Sequence, residues 1–326
     1  MTANFKFSWD AWNTTAQRRA KIVTYYHARG RNEDGSLRYD DNNNDGIWDP
    51  VHTGSNELSY SIGRDGTMTT YMEGSLNYNR LFDQKHRVGA LLLYNQKIHT
   101  KTQAGDKDTS LPYKNQGLAG RVTYAYKDTY FAEVNVGYNG SENFARGHRF
   151  GFFPAAAIGW MMSNEKWFEP ITNTVDMLKL KGSWGTLGNQ NLDRAYPAEP
   201  LLTNAYSAVF GTPSAIYPGY QLAYLPNPKL RWEKVEAWEA GAEANFLRNR
   251  LHLEGVYYKK KTKDLLAEVP GISGTVPGIG NLGSIENSGV ELALSWRDRI
   301  GDWNYNIGMN LATIKNKVLL SLIHIS

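Results

Sequence analysis

Strict alternation of apolar and polar residues is the feature that most constrains how this chain folds. Between residues 303 and 312, odd positions are apolar, as at Ile307 and Leu311. Even positions there are small or polar, as at Asn304 and Asn306. Successive side chains of a β-strand point to opposite faces, so such a run predicts a strand with one apolar and one polar face. The pattern recurs along the chain and predicts an all-β protein.

Runs of this kind predict about twelve antiparallel strands, most of them ten residues or longer. They lie near residues 3–9, 17–29, 66–79, 87–99, 117–127, 130–139, 152–162, 176–186, 233–246, 251–261, 288–297 and 303–313. A tilted strand needs about 9–11 residues to cross a bilayer, whereas globular strands usually have about five or six. The predicted connections alternate short and long, as outer-membrane barrels alternate periplasmic turns and extracellular loops. The sequence therefore predicts an antiparallel transmembrane β-barrel.

The composition excludes several other classes of protein. The chain has 326 residues, no Cys, and 36 Lys and Arg against 32 Asp and Glu. A net charge of +4, with the charges scattered, argues against nucleic-acid binding. The lack of Cys removes disulfides and thiolate sites. No run of roughly 20 apolar residues predicts a membrane-spanning helix, and the seven His form no metal-binding motif. We predict that the chain is not an enzyme.

Aromatic residues gather at predicted strand ends beside short turns. Trp296 and Trp303 flank one such turn, and Tyr126 and Tyr130 flank another. Amphipathic rings favour the level of the lipid headgroups, so these residues predict a periplasmic aromatic girdle. The alternative is that they belong to an ordinary β core.

Several segments between residues 149 and 318 resemble, in this order, the SusC/RagA family of TonB-linked (TonB-dependent) outer-membrane transporters. They are Arg149–Ala155, Leu178–Asn189, Asn227–Lys234, Tyr257–Leu266, Ile285–Leu292 and Asn316–Val318. The resemblance implies a barrel of roughly 22 strands with an N-terminal plug. It implies import of oligosaccharides or peptides with energy from the TonB complex. It also implies a SusD-like lipoprotein lid as a partner and a place in the outer membrane, in contact with its lipid.

The chain is interpreted as an internal piece from the C-terminal half of such a barrel, with the plug absent. We expect residues 1–318 to form the partial barrel domain and residues 319–326 to be a truncated or foreign tail. A soluble all-β carbohydrate-binding or adhesion module is the alternative. In such a module the apolar faces would pack against each other between two sheets.

A calcium loop is the metal site that the sequence predicts. Its candidate ligands are Asp41, Asn43, Asp45 and Asp49. Oxygen side chains at alternate positions and a glycine for the sharp turn, Gly46, are typical of calcium loops. The position where such loops carry a bidentate Glu holds His52 instead. A polar loop with Asn and Asp turn chemistry is therefore the alternative. No other cofactor is predicted.

Polar residues of the predicted strands are expected to line a wet lumen, because Arg or Lys at the lipid midplane costs about 2–4 kcal/mol. These predicted lumen residues are Glu133, Asn135, Glu239, Glu243, Asn245, Glu291, Asn304 and Asn306. Aromatic residues of the long loops are predicted to contact substrate: Trp48, Tyr206, Phe210, Tyr217, Tyr220 and Tyr224. The alternative is that each long loop packs around its own rings.

A run of basic residues, Lys259 to Lys263, lies at the predicted extracellular end of a strand. Its lysines either contact the phosphates of lipopolysaccharide or form a solvated rim. Residues 278–283 fit a glycine-rich dinucleotide pattern, but they lead into a strand and not a helix. We interpret this second segment as a flexible loop.

Overall fold

The computed structural model describes residues 1–39, 48–55, 57–104, 107–192, 196–210, 215–269 and 276–320. For Asp108, Phe210, Ala215 and Leu320 it describes the backbone alone. The chain divides into two compact units. The first holds residues 1–10, 69–100 and 105–326, and the second holds residues 11–68 and 101–104.

Strands account for most of the described residues. They are β1 Thr2–Lys21, β2 Tyr25–Tyr26, β3 Ala28–Arg31, β4 Leu37–Tyr39, β5 Pro50–His52, β6 Leu58–Phe82, β7 His86–Lys101, β8 Tyr113–Tyr126, β9 Tyr130–Ser141 and β10 Phe150–Met161. They continue with β11 Val175–Asn189, β12 Leu202–Phe210, β13 Ala215–Leu222, β14 Glu233–Phe246, β15 Leu251–Lys263, β16 Leu266–Val269, β17 Gly278–Asn281, β18 Ser284–Ile300 and β19 Trp303–Leu320. One α-helical turn, α1, spans Lys107–Ser110, and two 3₁₀ segments span Met162–Asn164 and Lys166–Ile171.

Eleven of these strands form one sheet, in the order β1-β6-β7-β8-β9-β10-β11-β14-β15-β18-β19. The registers recorded for neighbouring strands are antiparallel. The all-β antiparallel prediction is therefore confirmed. Short connections at 83–85, 127–129, 247–250 and 301–302 have at most four residues, whereas the long ones at 22–57, 102–112, 142–149, 190–232 and 264–283 have at least eight. The predicted alternation of short and long connections fails at 162–174, which takes the place of a short connection but is longer than 102–112 and 142–149.

Left-handed backbone conformations close the tightest of these turns. Asp83 and Gln84 have φ of 49° and 54°, and Lys127 and Asp128 have φ of 51° and 48°. Two consecutive residues with positive φ define the type I′ turn, whose twist matches that of the flanking strands. These turns fix the registers of β6 with β7 and of β8 with β9.

The predicted short turn at residues 10–16 is wrong. The chain instead runs as one strand of 20 residues, β1, from Thr2 to Lys21. Residues 10–16 contain neither Gly nor Pro, and none of them adopts the positive φ that a tight hairpin turn requires. The main sheet consequently has eleven strands and not about twelve.

The main sheet has one apolar and one polar face. A row of opposed residues that marks the apolar face runs through Val122, Val134, Ala156, Trp184 and Trp238. Large side chains on this face are uncovered: Ile158 is 71 % exposed and Trp303 is 82 % exposed. The apolar side chains of the first unit are therefore not buried between two layers, as a soluble sandwich would require.

Aromatic rings meet across strands at the short-turn end of the sheet. Tyr126 stacks on Tyr130 at 6.5 Å between ring centroids, and Tyr130 stacks on Trp160 at 6.4 Å. Glu165, in the 162–174 connection, accepts hydrogen bonds from the Tyr130 hydroxyl and from Trp160 Nε1. Each ring thus combines an apolar body with a hydrogen-bonded polar end, as residues at a membrane interface do.

The remaining strands form small two-stranded sheets inside the long connections. They pair β2 with β5, β3 with β4, β12 with β13, and β16 with β17. The glycine-rich segment 278–283, predicted as a flexible loop, contains β17. Among the described residues no helix has the length and apolar character to cross a membrane. The prediction for the tail at residues 319–326 stays a prediction, since residues 321–326 lie outside the described residues.

Candidate functional site

All eight predicted lumen residues lie on the polar face of the main sheet. Directly opposed residues of neighbouring strands share a face, so a face can be followed from strand to strand. Glu133 lies opposite Ala157, which lies opposite Ser183, which lies opposite Glu239. The same registers bring Asn135, Glu243, Asn245, Glu291, Asn304 and Asn306 to this face. That the face lines a lumen stays a prediction.

One group of paired charges on the polar face lies on β8 and β9. Arg121 Nη2 is 2.7 Å from Glu133 Oε2, and Asn135 Nδ2 donates a hydrogen bond of 2.7 Å to Glu133 Oε1. The Arg121 side chain is half exposed. Such an exposed pair contributes about 0–1 kcal/mol to stability, so its main effect is to hold charged groups in place at the surface.

A second group of charges surrounds an open depression of about 340 Å³ over β11, β14 and β15. Lys181 pairs with Glu254, and Lys260 Nζ lies 3.8 Å from Glu239 Oε1. Tyr258 also lines the depression. Ammonium, carboxylate and phenol groups together offer both donors and acceptors. The depression is therefore suited to a polar ligand such as a sugar or a peptide backbone.

Sequence reasoning missed the basic members of the polar face, Arg121, Lys181 and Lys260. The alternation of side chains between the two faces of a strand could have identified them. Lys260 lies an even number of residues from Glu254 along β15, so both side chains must share a face. Lys259 to Lys263 form one basic group in the sequence, whereas along the strand the side chains of Lys259 and Lys260 point to opposite faces.

A buried aromatic core, the loop-end core, joins the long connections at the other end of the sheet. It consists of Phe144, Phe153, Leu230 and Trp232. Trp232 is only 5 % exposed and its ring lies 5.2 Å from Phe144 and 5.5 Å from Phe153. Trp232 Nε1 donates a hydrogen bond of 3.0 Å to the carbonyl of Arg149. The core thereby ties the 142–149 connection to the segment that opens β14.

The β12–β13 hairpin carries four of the predicted substrate aromatics. Tyr206, Tyr217 and Tyr220 are exposed, Tyr206 to 97 %. Tyr206 lies in the register shift between Ala205 and Ala208, where a bulge can re-aim a side chain. Phe210 ends β12, and its side chain lies outside the described part of the structure. The rings of Tyr206 and Tyr220 are thus available for stacking, and substrate contact stays a prediction.

The other two predicted aromatics pack within their own loops. Tyr224 is 4 % exposed, and its hydroxyl lies within hydrogen-bond distance of the carbonyls of Tyr196 and Glu199. Because it is buried, Tyr224 packs inside its own long loop, which was the alternative to substrate contact. Trp48 is half exposed, and its ring lies 4.5 Å from that of Tyr39.

Tyr196 joins three of the long connections, 102–112, 142–149 and its own, 190–232. Its hydroxyl donates to the carbonyl of Pro112 and lies 3.2 Å from the Glu142 carboxylate. Burial, followed by the negative charge of Glu142, raises the pKa of Tyr196 to about 12. The folded state therefore favours the protonated phenol.

We expect alkaline pH to weaken the packing at Tyr196. The folded-state pKa of about 12 exceeds the unfolded value of 10, so the contribution of the phenol is complete below about pH 10 and is lost as pH rises through 12. The urea midpoint of the intact protein, measured from pH 8 to pH 12, should fall more steeply than that of a Tyr196→Phe variant. Equal slopes for the two proteins would show that this phenol does not titrate with folding.

The calcium prediction falls mostly outside the described residues. Asp41, Asn43 and Asp45 lie in the segment that is not described, and Asp49 is described just before β5. Within the described residues, no group of three or more His, Cys, Asp or Glu side chains is arranged to hold a metal ion. The calcium loop therefore stays a prediction.

Comparison with known proteins gives consistent matches. Residues 1–319 match the family described as TonB dependent receptor-like, beta-barrel. TonB-dependent receptor P26 of Formosa agariphila is 34 % identical over 203 residues, which are 61 % of this chain and 20 % of that protein. TonB-dependent receptor SusC of Bacteroides thetaiotaomicron is 30 % identical over 230 residues, 67 % of this chain and 22 % of that protein. The chain thus spans about a fifth of the length of these relatives.

Solved structures show the same fold. The structure of the RagAB peptide transporter aligns with a TM-score of 0.72 at 21 % identity, over 98 % of this chain and 35 % of that one. RagAB in its closed-closed state, described as a peptide importer, aligns with a TM-score of 0.68.

The long antiparallel strands, the uncovered apolar face and these matches define the class as an outer-membrane β-barrel. Within that class, the chain belongs to the TonB-dependent receptor family. The resemblance to SusC/RagA proteins is confirmed. TonB-dependent receptors are a class of transporters and not of enzymes, so the prediction that the chain is not an enzyme is confirmed too.

Proposed function

We propose that this chain forms part of the barrel wall of a TonB-dependent importer, with its polar face along the substrate path. The separation of the two faces is the observation that carries the proposal. One face holds paired charges and an open depression, and the other exposes apolar side chains that acyl chains of the membrane can cover. The wall takes no part in bond chemistry; it binds and guides a polar solute.

The proposed cargo is an oligosaccharide or a peptide. Hydroxyls of a sugar and amides of a peptide both match the donors and acceptors around Lys181, Glu239 and Tyr258. The exposed rings of Tyr206 and Tyr220 offer faces for stacking on a sugar or on an apolar peptide side chain. RagAB, which shares the fold, is described as a peptide transporter, and the resemblance to the SusC/RagA family implies oligosaccharides as well as peptides. The proposed partners are a SusD-like lipoprotein lid and the TonB complex.

The soluble adhesion module receives no support from the structure. Such a module needs its apolar faces covered by a second sheet. In the first unit, Ile158 and Trp303 are instead uncovered on the apolar face.

Uptake by living cells tests the proposed function. A strain that lacks the gene for the intact protein should lose accumulation of either a fluorescent oligosaccharide mixture or a fluorescent peptide mixture. Re-expression should restore the uptake, and a protonophore should abolish it, because TonB draws on the proton gradient. A matched strain expressing the protein with Tyr206→Ala and Tyr220→Ala should take up less of the same cargo. Unchanged uptake of both mixtures in the deletion strain would overturn the proposal.

A further inference from the structure

A band of lysines continues the apolar face at its loop end. This lysine band consists of Lys234, Lys259, Lys261, Lys263, Lys315 and Lys317. One row of opposed residues runs Trp238, Lys259, Ser288, Lys315, and the next runs Glu236, Lys261, Glu286, Lys317. Lys234 lies opposite Lys263 in the row beyond. The charges that looked scattered along the sequence are thus gathered at one level of one face.

The position of the lysine band matches the edge of a bilayer. Ten residue steps separate Trp303, at the short-turn end of β19, from Thr313, and they rise about 33 Å along the strand. At a strand tilt of about 40° that rise spans about 25 Å, the usual height of the apolar band of an outer-membrane barrel. Lys315 and Lys317 follow immediately beyond Thr313 on the same face. They therefore lie where the headgroups of the loop-side leaflet begin.

Carboxylates on the same face neutralise only part of the lysine band. Lys259 Nζ lies 3.2 Å from Glu286 Oε2, and Lys263 Nζ lies 2.6 Å from Glu236 Oε1. Among the described residues, no carboxylate pairs with the other members, which are Lys234, Lys261, Lys315 and Lys317. A surplus of positive charge beside an apolar surface favours an amphiphile that joins acyl chains to anionic groups.

We infer that the lysine band binds the phosphate groups of lipopolysaccharide, the phosphorylated glycolipid of the outer leaflet. Lys261 and Lys317 flank Glu286, two strand spacings or about 10 Å apart at the backbone. Their long side chains can converge on one phosphate while their stems follow the apolar surface. The acyl chains of the same lipid then cover the apolar face around Trp238 and Val290. This contact is separate from import, since it involves the opposite face of the sheet.

Binding of purified lipopolysaccharide to the intact protein in detergent micelles tests the inference. The measurement compares native lipopolysaccharide with the same material after enzymatic removal of its phosphates. The double variant Lys261→Gln, Lys317→Gln should bind the native form about tenfold or more weakly than the parent. A Lys261→Arg, Lys317→Arg variant should keep the affinity. Raising the salt concentration should weaken binding to the parent, since the contact is electrostatic.

The matched control is the double variant Lys166→Gln, Lys229→Gln, which removes the same charge from two exposed connections away from the lysine band. It should bind native lipopolysaccharide as the parent does. If the lysine band is only a solvated rim, the parent and the Lys261→Gln, Lys317→Gln variant will bind native lipopolysaccharide equally. That result would overturn the inference. Equal affinity of the parent for the native and the dephosphorylated material, or an equal loss in the control variant, would overturn it too.

Discussion

Replacing Leu294 by Arg in the intact protein is expected to destabilise the membrane-embedded fold by about 2–4 kcal/mol. Leu294 lies on the apolar face, opposite Leu253 on one side and Met309 on the other. Met309 lies near the middle of the apolar band between Trp303 and Thr313, so an introduced guanidinium at Leu294 lies among acyl chains, far from either headgroup layer. Urea unfolding in lipid vesicles measures the loss, and the amount of folded protein in the outer membrane should fall with it.

Ala293→Arg is the matched control for this prediction. Ala293 is the preceding residue of β18 and belongs to the polar face, where it lies opposite Glu254 and Asn310. An Arg there meets water and a nearby carboxylate, so the free energy of unfolding should change by less than about 1 kcal/mol. Similar losses in the two variants would contradict the assignment of the faces on which the proposed function depends.

The strands and their faces could be predicted from the sequence because both follow from a period of two residues. Glu133 and Glu239 lie far apart along the chain. In its own strand, each is preceded and followed by apolar residues, whose side chains point to the other face. Antiparallel pairing between long strands then carries that local pattern across the sheet. The same reasoning fails where the pattern is faint. Residues 10–16 contain one Asp, one Asn and two Thr and suggest a turn, but nothing in their backbone provides one.

Contacts among the long connections could not be predicted, because no periodicity relates their residues. Phe144 and Trp232 come from separate connections and meet only in the folded protein. The sequence around Tyr220 and Tyr224 is uncharged and contains other aromatic residues in both cases. Nevertheless, Tyr224 is buried and Tyr220 is exposed. The sequence identifies these rings as candidates for substrate binding or for loop packing. Only the tertiary contacts show which of the two roles each ring has.

Pairs of opposite charges across strands could be predicted only in part from the sequence. The parity of β15 was sufficient to separate Lys260 from Lys259 and Lys261, but not to identify their partners. Glu239 for Lys260 and Glu286 for Lys259 follow from the registers of β14 with β15 and of β15 with β18, which strand parity does not give. The lysine band, which gathers residues from β14, β15 and β19, therefore emerges only when the sheet is assembled.

Trp232→Ala is expected to give the largest loss of stability in the first unit, about 3–5 kcal/mol, as for other buried aromatic truncations. The ring of Trp232 fills the loop-end core between Phe144 and Phe153, and Leu230 beside it is fully buried. Truncation leaves a cavity there and also removes the donor to the Arg149 carbonyl. Trp232→Phe should retain most of the packing and lose about 0.5–1.5 kcal/mol from the missing hydrogen bond.

Urea unfolding of the intact protein compares these variants with Trp303→Ala, which removes the same side chain from an exposed position on β19. The loss in Trp232→Ala should clearly exceed the loss in Trp303→Ala. Because the loop-end core holds the connections from which the β12–β13 hairpin extends, Trp232→Ala should also make residues 142–149 and 223–232 more accessible to protease. If Trp303→Ala proved as damaging, or if proteolysis of those segments did not change, the long connections would owe their order to something other than this core.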